Sequence, residues 1–402
     1  MQNLITSSTG KTTGSFDLTL LIRGRIRQSI EDILFEELAI ALGAGKSERT
    51  DERKGYRNGA GERHLATELG PLTITVPRGR ILSEQGEETE WRSPLLPRYM
   101  RRTERVNEVI LGCYLAGANS RRIRRALAPL FGRENLSKSA VSRIVAKLKE
   151  RFDAWREQDL SGQDIVYLFL DAIRLPVRLA RRVVKVPVLA ALGVRSDGSK
   201  VLLSLAIAGG ESLSAWKSLV GDLARRGLAD PLLVGVDGNQ GLSRAVREIW
   251  PEAAVQRCMR HKLENLLAHA PKHAHDEIKR DYHEIMYGKT PAQVRQALGS
   301  FRVKWQKLCP PVARSLDEAG DDLIAFIRFP KSQWSVLRTT NHLERLNGEF
   351  RRRTKTQGSF ATEQAALTLL WGLVASGQVK LYKIKGAKDM PLVNNTDLSQ
   401  AA

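Results

Sequence analysis

Apolar residues between Leu18 and Leu42 recur at helical spacing, at Leu21, Ile22, Ile26, Ile30, Ile33, Leu34 and Leu38. That spacing predicts an amphipathic helix with a basic start (Arg23, Arg25, Arg27) and an acidic later half (Glu31, Asp32, Glu36, Glu37). Residues 1–15 are polar, rich in Ser, Thr and Gly, and expected to be loose. Lys46 to Gly61 is polar and glycine-bearing, without periodicity. Thr67 to Arg80 reads as a hairpin, with Gly70-Pro71 as the turn and Leu72 to Val76 alternating at period two. Helical spacing returns from Arg101 to Leu148. One helix covers Val106 to Ala116, and Gly117-Ala-Asn-Ser120 breaks it. Ser120 then caps a helix over Arg121 to Leu130, and Ser137 starts a third that runs to about Trp155. Two such helices around a short turn form a helix-turn-helix pattern.

The pattern changes between residues 165 and 261. Apolar, β-rich runs at 165–178, 183–195 and 200–208 predict three antiparallel strands, with Ser196-Asp-Gly-Ser199 as a hairpin turn. A helix over 212–226, a strand over 232–236, a helix over 241–250 and a strand over 254–257 follow. Three antiparallel strands and then alternating helix and strand give an α/β core with a mixed five-stranded sheet. Lys262 to about Trp334 is helical and β-poor, an all-helical insertion. Helices at 339–355 and 361–376 close the fold, and the last twenty or so residues are polar and expected to fray.

This layout places acidic residues where strands end. Asp171 follows the apolar run Ile165 to Leu170, Asp237 follows Leu232 to Val236, and Glu344 lies at the start of the helix that leads into Arg351-Arg-Arg-Thr-Lys355. A carboxylate at the end of a buried strand costs desolvation energy unless it is paired or holds a cation. If strands 165–170 and 232–236 are parallel neighbours, both aspartates emerge at one sheet edge, the usual place for a ligand site. Hard divalent cations held there by oxygen ligands would suit phosphoryl chemistry. The plain alternative is strand-end aspartates that only begin turns, since Asp237-Gly238 is itself a turn dipeptide. Glu349 is a rival third carboxylate, but five residues beyond Glu344 it points to another helix face.

Charge points the same way. The 402-residue chain has 64 Lys and Arg against 44 Asp and Glu, a net charge of +20. The surplus is clustered, which favours a polyanionic partner over a merely basic surface. Arg98 to Arg151 is dense in arginine; Arg121, Arg122 and Arg124 precede the candidate recognition helix, whose Lys138, Ser139, Ser142 and Arg143 would face the DNA major groove. The plain reading there is a helical hairpin touching only backbone. Arg57, Arg63, Arg78 and Arg80 could add backbone contacts. Arg351, Arg352, Arg353 and Lys355 form either a solvated basic face or, beside a metal site, a phosphate clamp. Trp216 is expected in the core. Cys258-x-x-His261, with His269, His273 and His275 nearby, is an incomplete zinc pattern because no second Cys pair accompanies it. A structural role at the strand end is the expectation for that pair. Three scattered cysteines fit a reducing cytoplasm, with association to the nucleoid expected if DNA is the partner. No apolar run reaches the roughly 18 residues a membrane span needs.

The chain resembles the Mutator-type transposases of bacterial insertion sequences over nearly its whole length. The matching pieces, in order, are Gly55-Tyr-Arg-Asn-Gly59 with Thr75-Val-Pro-Arg78; Gly117 to Arg124 and Ser137 to Ile144; Leu170-Asp171; Trp216 with Arg226-Gly227; Val236-Asp237-Gly238; Cys258-Met-Arg-His261; and Thr339-Thr-Asn341 with Glu344, Asn347 and Arg351 to Lys355. The resemblance implies a ribonuclease H-like catalytic core, with the helical insertion between the second aspartate and the glutamate. It implies Asp171, Asp237 and Glu344 as a triad holding two Mg²⁺, with Mn²⁺ able to substitute. It implies Cys258, His261, Asn341 and Asn347 around that triad, and an enzyme that cleaves and joins double-stranded DNA at terminal inverted repeats. A homodimer or higher oligomer is expected, with 18–42 as a candidate contact and no membrane role. The expected divisions are 1–95 (helix and hairpin, DNA binding or oligomerisation), 96–158 (helix-turn-helix), 159–261 with 335–380 (catalytic), 262–334 (insertion) and 381–402 (flexible tail). The rivals are a metal nuclease of the same fold that does not join strands, and a non-enzymatic DNA-binding regulator.

Overall fold

The computed structural model describes residues 18–83, 86–131, 136–179, 181–355 and 358–394. The chain divides into two compact units: residues up to Tyr114 with Asn119–Ile144, and Leu115–Ala118 with Val145 onward.

The first unit opens with α1 (Leu18–Leu42), which buries Leu34, Leu38 and Leu42. It packs on a sheet of β1 (Gly55–Thr67), β2 (Gly70–Leu82) and β3 (Glu88–Glu90), in the order β1-β2-β3. Leu34, Leu65, Leu72, Ile74 and Leu96 form the core, and the Thr75 amide donates to Glu31 Oε1 at 2.7 Å, tying helix to strand. Two expectations change here. The turn is Glu68-Leu69, because Thr67 pairs with Gly70 and Ala66 with Pro71, so Gly70-Pro71 begins β2 instead of bending the chain. The segment 55–61 is strand, although its glycines and polar residues gave no alternation. Its outer half faces solvent, and a bulge between Arg57 and Ala60 accommodates Gly59 at φ 72°.

α2 (Glu104–Leu115), α3 (Ser120–Phe131) and α4 (Lys138–Arg156) follow. Asn119, not Ser120, caps α3: its Oδ1 accepts from the Arg121 and Arg122 amides at 3.1 and 3.0 Å. Ser137 caps α4 as expected, accepting from the Ala140 amide at 3.1 Å. The expected turn between α3 and α4 falls on residues 132–135, outside the described residues, as do the loose residues 1–15.

The second unit is built on β4 (Ile165–Leu179), β5 (Arg182–Arg195), β6 (Lys200–Ile207), β7 (Leu233–Val236) and β8 (Ala254–Arg257). Their order is β6-β5-β4-β7-β8, with β4, β5 and β6 antiparallel and β7 and β8 parallel to β4. This is the mixed five-stranded sheet read from the pattern, and Gly198 at φ 78° forms the predicted hairpin turn. α5 (Leu213–Arg225) and α6 (Gln240–Ile249) cover one face. Trp216, Leu219, Val220, Leu242, Val246 and Trp250 interlock there with Leu168, Leu170 and Val234, so Trp216 is a core residue as expected. α7 (Met259–Ala268), α8 (His275–Tyr287), α9 (Pro291–Leu308) and α10 (Pro310–Ala319) form a helical run, followed by short 3₁₀ turns and α11 (Trp334–Leu337). α12 (Asn341–Lys355), α13 (Glu363–Ala375) and α14 (Met390–Asn394) complete the unit.

Much of the expected flexible tail is docked. The Ile384 amide donates to Gly198 O at 2.9 Å, Gln333 Nε2 donates to Gly386 O at 3.2 Å, and Ile384, Met390 and Val393 are buried. These anchors are too sparse to set up a readable period. Residues 395–402 lie outside the described ones.

An ionic cluster of two buried cations and one partly exposed glutamate ties the helical run to the sheet. Lys262 Nζ donates to Glu318 Oε2 at 2.8 Å, and Arg257 Nη1 donates to Glu318 Oε1 at 2.9 Å. Arg257 Nη2 also donates to Gly238 O at 3.1 Å, bracing the turn after Asp237. Partial burial pushes the Glu318 carboxyl up, but the hydrogen bonds from Lys262, Gln240 and Arg257 prevail and hold it down at about 2. Its contribution is therefore present above the ordinary carboxylate range and lost as pH falls toward about 2. Glu318→Gln should cost on the order of 2 kcal/mol, less than the about 3–5 of a fully buried pair because Glu318 keeps contact with water. The urea midpoint at pH 7 checks this, and it should converge with that of the unsubstituted protein at strongly acid pH.

Candidate active site

β4 is apolar and buried on both faces from Ile165 to Leu170, as a central strand between covering helices must be. It pairs with β7 in the register Tyr167↔Leu233, Leu168↔Val234 and Phe169↔Gly235. Counting two residues on from the last pair reaches Asp171 on one strand and Asp237 on the other. The parallel register thus brings both aspartates together at the edge where β7 ends, although Asp171 itself lies within β4, which continues to Leu179, and not at the strand end expected from the apolar run. Asp171 is 8 % exposed, with Oδ1 accepting from the Ala172 amide at 2.8 Å. Asp237 is half-buried and caps its turn, Oδ1 accepting from the Asn239 amide at 2.9 Å.

The glutamate arrives on α12. The Cys258 amide donates to Val236 O at 2.7 Å, the Met259 amide to Arg338 O at 2.9 Å, and the Thr340 amide to Cys258 Sγ at 3.5 Å. Cys258 therefore joins the end of β7 to the start of α12. Glu344 and Asn347, one helical turn apart, share a face. Asn347 Nδ2 donates to Asp171 Oδ2 at 2.8 Å, while its Oδ1 is buried without a hydrogen-bond partner among the described residues. Glu344 Oε2 accepts from Arg260 Nη1 at 2.8 Å, and Glu344 Oε1 lies 3.7 Å from His261 Nε2.

Burial pushes the Asp171 carboxyl up to about 6, and repulsion from Asp237 and Glu344 adds to it, against the Ala172 amide and His261. The Cys258 neighbour raises His261 to about 9, more than burial lowers it, with further support from Asp237 and Asp171. Burial raises the Cys258 thiol, yet contacts with His261 and Thr340 outweigh it and leave it below its ordinary value. Among the described residues the tightest group of potential metal-ligand atoms is Cys258, His261 and Glu344, all within 4.8 Å of one another. The three carboxylates make no such group. Like charges repel, and Arg260 and His261 draw Glu344 toward α7.

Of the other candidates, Asn341 is exposed at the start of α12, apart from this network. Glu349 is half-buried and accepts from Arg352 and Arg353, so it is the partner of the basic run. Arg353 also donates to Gln378 O at 3.2 Å, leaving Arg351 and Lys355 exposed at the helix end. Of the predicted recognition residues, Ser139, Ser142 and Arg143 are exposed on α4, and Arg121 and Arg122 on α3, while Arg124 is half-buried. The side chain of Lys138 lies outside the described residues. Arg102 is pushed below its ordinary value by burial, then by Arg143 and Arg101, so the first unit gathers cations. Arg260 and Glu318 were not anticipated, because a lone charge on a helix carries no spacing signal.

The Mutator-family transposase model matches residues 5–382, and the chain belongs to that family. It is 33 % identical over 375 residues to the transposase for insertion sequence element ISRM5 of Rhizobium meliloti (strain 1021), covering 92 % of each chain. It is 35 % identical over 357 residues to the IS1081 transposase of Mycobacterium tuberculosis, covering 88 % of this chain and 84 % of that one. The IS406 transposase of Burkholderia multivorans is 32 % identical over 341 residues, 84 % of this chain and 86 % of the relative. The Drosophila P element transposase strand transfer complex aligns with 78 % of this chain and 87 % of that one at TM-score 0.30 and 12 % identity, too slight a likeness to bear on this fold. Membership in a transposase family supports an enzyme that cleaves and transfers DNA strands. Among the described residues no helix is long and apolar enough to cross a membrane.

The raised Asp171 carboxyl means that ionising it in the fold costs about 3 kcal/mol at neutral pH. Its neutral form is favoured, so this contribution to stability is present below the ordinary aspartate range and lost as pH rises through about 6. Asp171→Asn, with the Asn347 amide free to turn its unpartnered oxygen toward the new amide, should raise stability by about 1–3 kcal/mol at pH 7.5. Urea unfolding in a chelator checks this, and the gain should vanish near pH 4.

Proposed function

We propose that the protein is the transposase of an insertion sequence, with a ribonuclease H-like core that cuts and joins DNA strands at Asp171, Asp237 and Glu344. The observation that carries this is the in-register parallel pairing of β4 and β7, with both aspartates at one sheet edge and α12 beside them. The sheet order, three antiparallel strands extended by two parallel ones, supports the same core.

The residues fit a divalent cation. Asp171 and Asp237 offer oxygen ligands at one edge, Asp171 is a buried acid short of positive partners, and Asn347 leaves an orphaned buried oxygen beside it. Asp171, Asp237 and Glu344 would hold two Mg²⁺, or Mn²⁺ in their place. When bound, the ions supply an activated attacking oxygen and charge stabilisation on the leaving one. The chain supplies the rest. Asn347 fixes the Asp171 carboxylate, Cys258 fixes the start of α12, and Arg260 and His261 bring positive charge to the edge where phosphate would lie. At an element end, water attacks phosphorus and the P–O3′ bond breaks, freeing a 3′-hydroxyl. That hydroxyl attacks a target phosphorus in line and displaces another 3′-oxygen. Each phosphodiester bond joined replaces one broken, so strand transfer needs no outside energy source.

α3 and α4, with exposed Arg121, Ser139, Ser142 and Arg143, are the proposed reader of the terminal inverted repeats, in helix-turn-helix fashion. The two ends must meet, so a dimer or larger assembly on DNA is expected in the bacterial cytoplasm.

Oligonucleotides carrying the element ends should yield both cleaved and joined products with Mg²⁺. Asp171→Asn, Asp237→Asn and Glu344→Gln should each lower both by at least about a thousandfold while end binding persists. Cleavage without joining would favour a nuclease, and undiminished cleavage in these variants would remove the triad. Protons compete with the cation for Asp171, so Mn²⁺ affinity measured by calorimetry should fall roughly tenfold between pH 7 and pH 5, about one unit below the Asp171 midpoint.

A further inference from the structure

α12 carries two neighbouring stripes. Asn347 meets Asp171 and Glu344, one turn before it, meets Arg260, whereas Arg345, Gly348 and Arg352 line a cavity of about 700 Å³ on the adjoining face. Across that cavity stand Lys200 of β6 and Lys380, Lys383 and Lys385 of the segment after α13. The carboxylate in the lining, Glu349, is already engaged by Arg352 and Arg353, and Lys383 is engaged by Asp197. Arg345, Lys380 and Lys385 are exposed and form no ion pair among the described residues. Half-burial and then the facing Arg345 push Lys200 below its ordinary value, and burial and then Lys200 lower His342 to about 4. Cations are thus crowded around a space that holds too few acids to balance them. Tyr382 is 67 % exposed at the rim, and a Cβ added at Gly348 would meet nothing, so the wall there is open.

We propose that this groove holds a strand of the target DNA along α12, beside the edge that carries Asp171 and Asp237. Resting on the reading of the protein as a transposase, it gives the second DNA substrate a place of its own. Strand transfer takes two DNAs, one known by its sequence and one that can be any sequence. Lysine and arginine hold phosphates, and an exposed tyrosine stacks on bases, without regard to sequence. The lining therefore suits the target better than the inverted repeat. The spacing of the stripes is the second argument. On one helix, neighbouring stripes lie within a few ångströms, so a strand seated on Arg345 and Arg352 passes next to Glu344.

The test compares the full-length protein with Lys380→Ala/Lys385→Ala and with Lys380→Arg/Lys385→Arg. Anisotropy measures binding to a labelled duplex of unrelated sequence across a salt series. Two lost phosphate contacts should flatten the salt slope by about 2 and weaken binding several-fold, and the arginine pair should restore both. Joining of pre-cleaved ends into that duplex should fall in step with the affinity. An unchanged slope overturns the proposal, as does a loss the arginine pair cannot restore, which would mark a structural defect. Unchanged joining despite a flatter slope overturns the assignment to target DNA. If the unsubstituted protein cleaves and joins nothing while the slope still flattens, the groove stands as a DNA site and the transposase reading is what fails.

Discussion

Burying one carboxylate is the constraint from which the second unit follows. Asp171 sits within the central strand β4, level with the end of β7 and with almost no water contact, where burial and two neighbouring acids disfavour its charge. A fold keeps such a group only if other parts compensate it. Asn347 donates to it from a helix 176 residues further along the chain, and His261 approaches from α7.

The supporting network is as informative as the acids. Cys258 bonds at once to the β7 end and to the residue before α12, so it sets where Glu344 can reach. Arg257, Lys262 and Glu318 do the same from the other side, clamping α10 to the turn after Asp237. The helical run between β8 and α12 thus acts as a brace. Its polar contacts land on the sheet edge that carries Asp171 and Asp237, although its own helices contribute none of the three carboxylates.

Charge is divided between the units in different ways. In the first, arginines gather near α3 and α4, with Arg102 destabilised by Arg143 and Arg101. In the second, cations line a cavity along α12 beside the acidic edge. Each unit thus gathers part of the net charge of +20 in a cluster of its own.

The sequence by itself determined the local elements and their order. Continuous apolar runs and 3.6-residue spacing marked the strands from Ile165 to Arg257 and the helices after them, because both faces of a covered sheet must be apolar and a half-buried helix shows a stripe. It also singled out Asp171 and Asp237, since each follows an apolar run, whereas Glu344 was singled out by the family resemblance and not by any pattern of its own. Polar strand β1 escaped notice because solvent covers its outer half, and the docked residues 384–394 escaped because three scattered anchors make no period. Only the tertiary structure decided that β4 and β7 are parallel and in register, that Asn347 and not a second acid meets Asp171, and that Glu344 leans on Arg260. Those outcomes depend on contacts between residues tens to hundreds of positions apart, and no local spacing encodes which distant partner satisfies a buried charge.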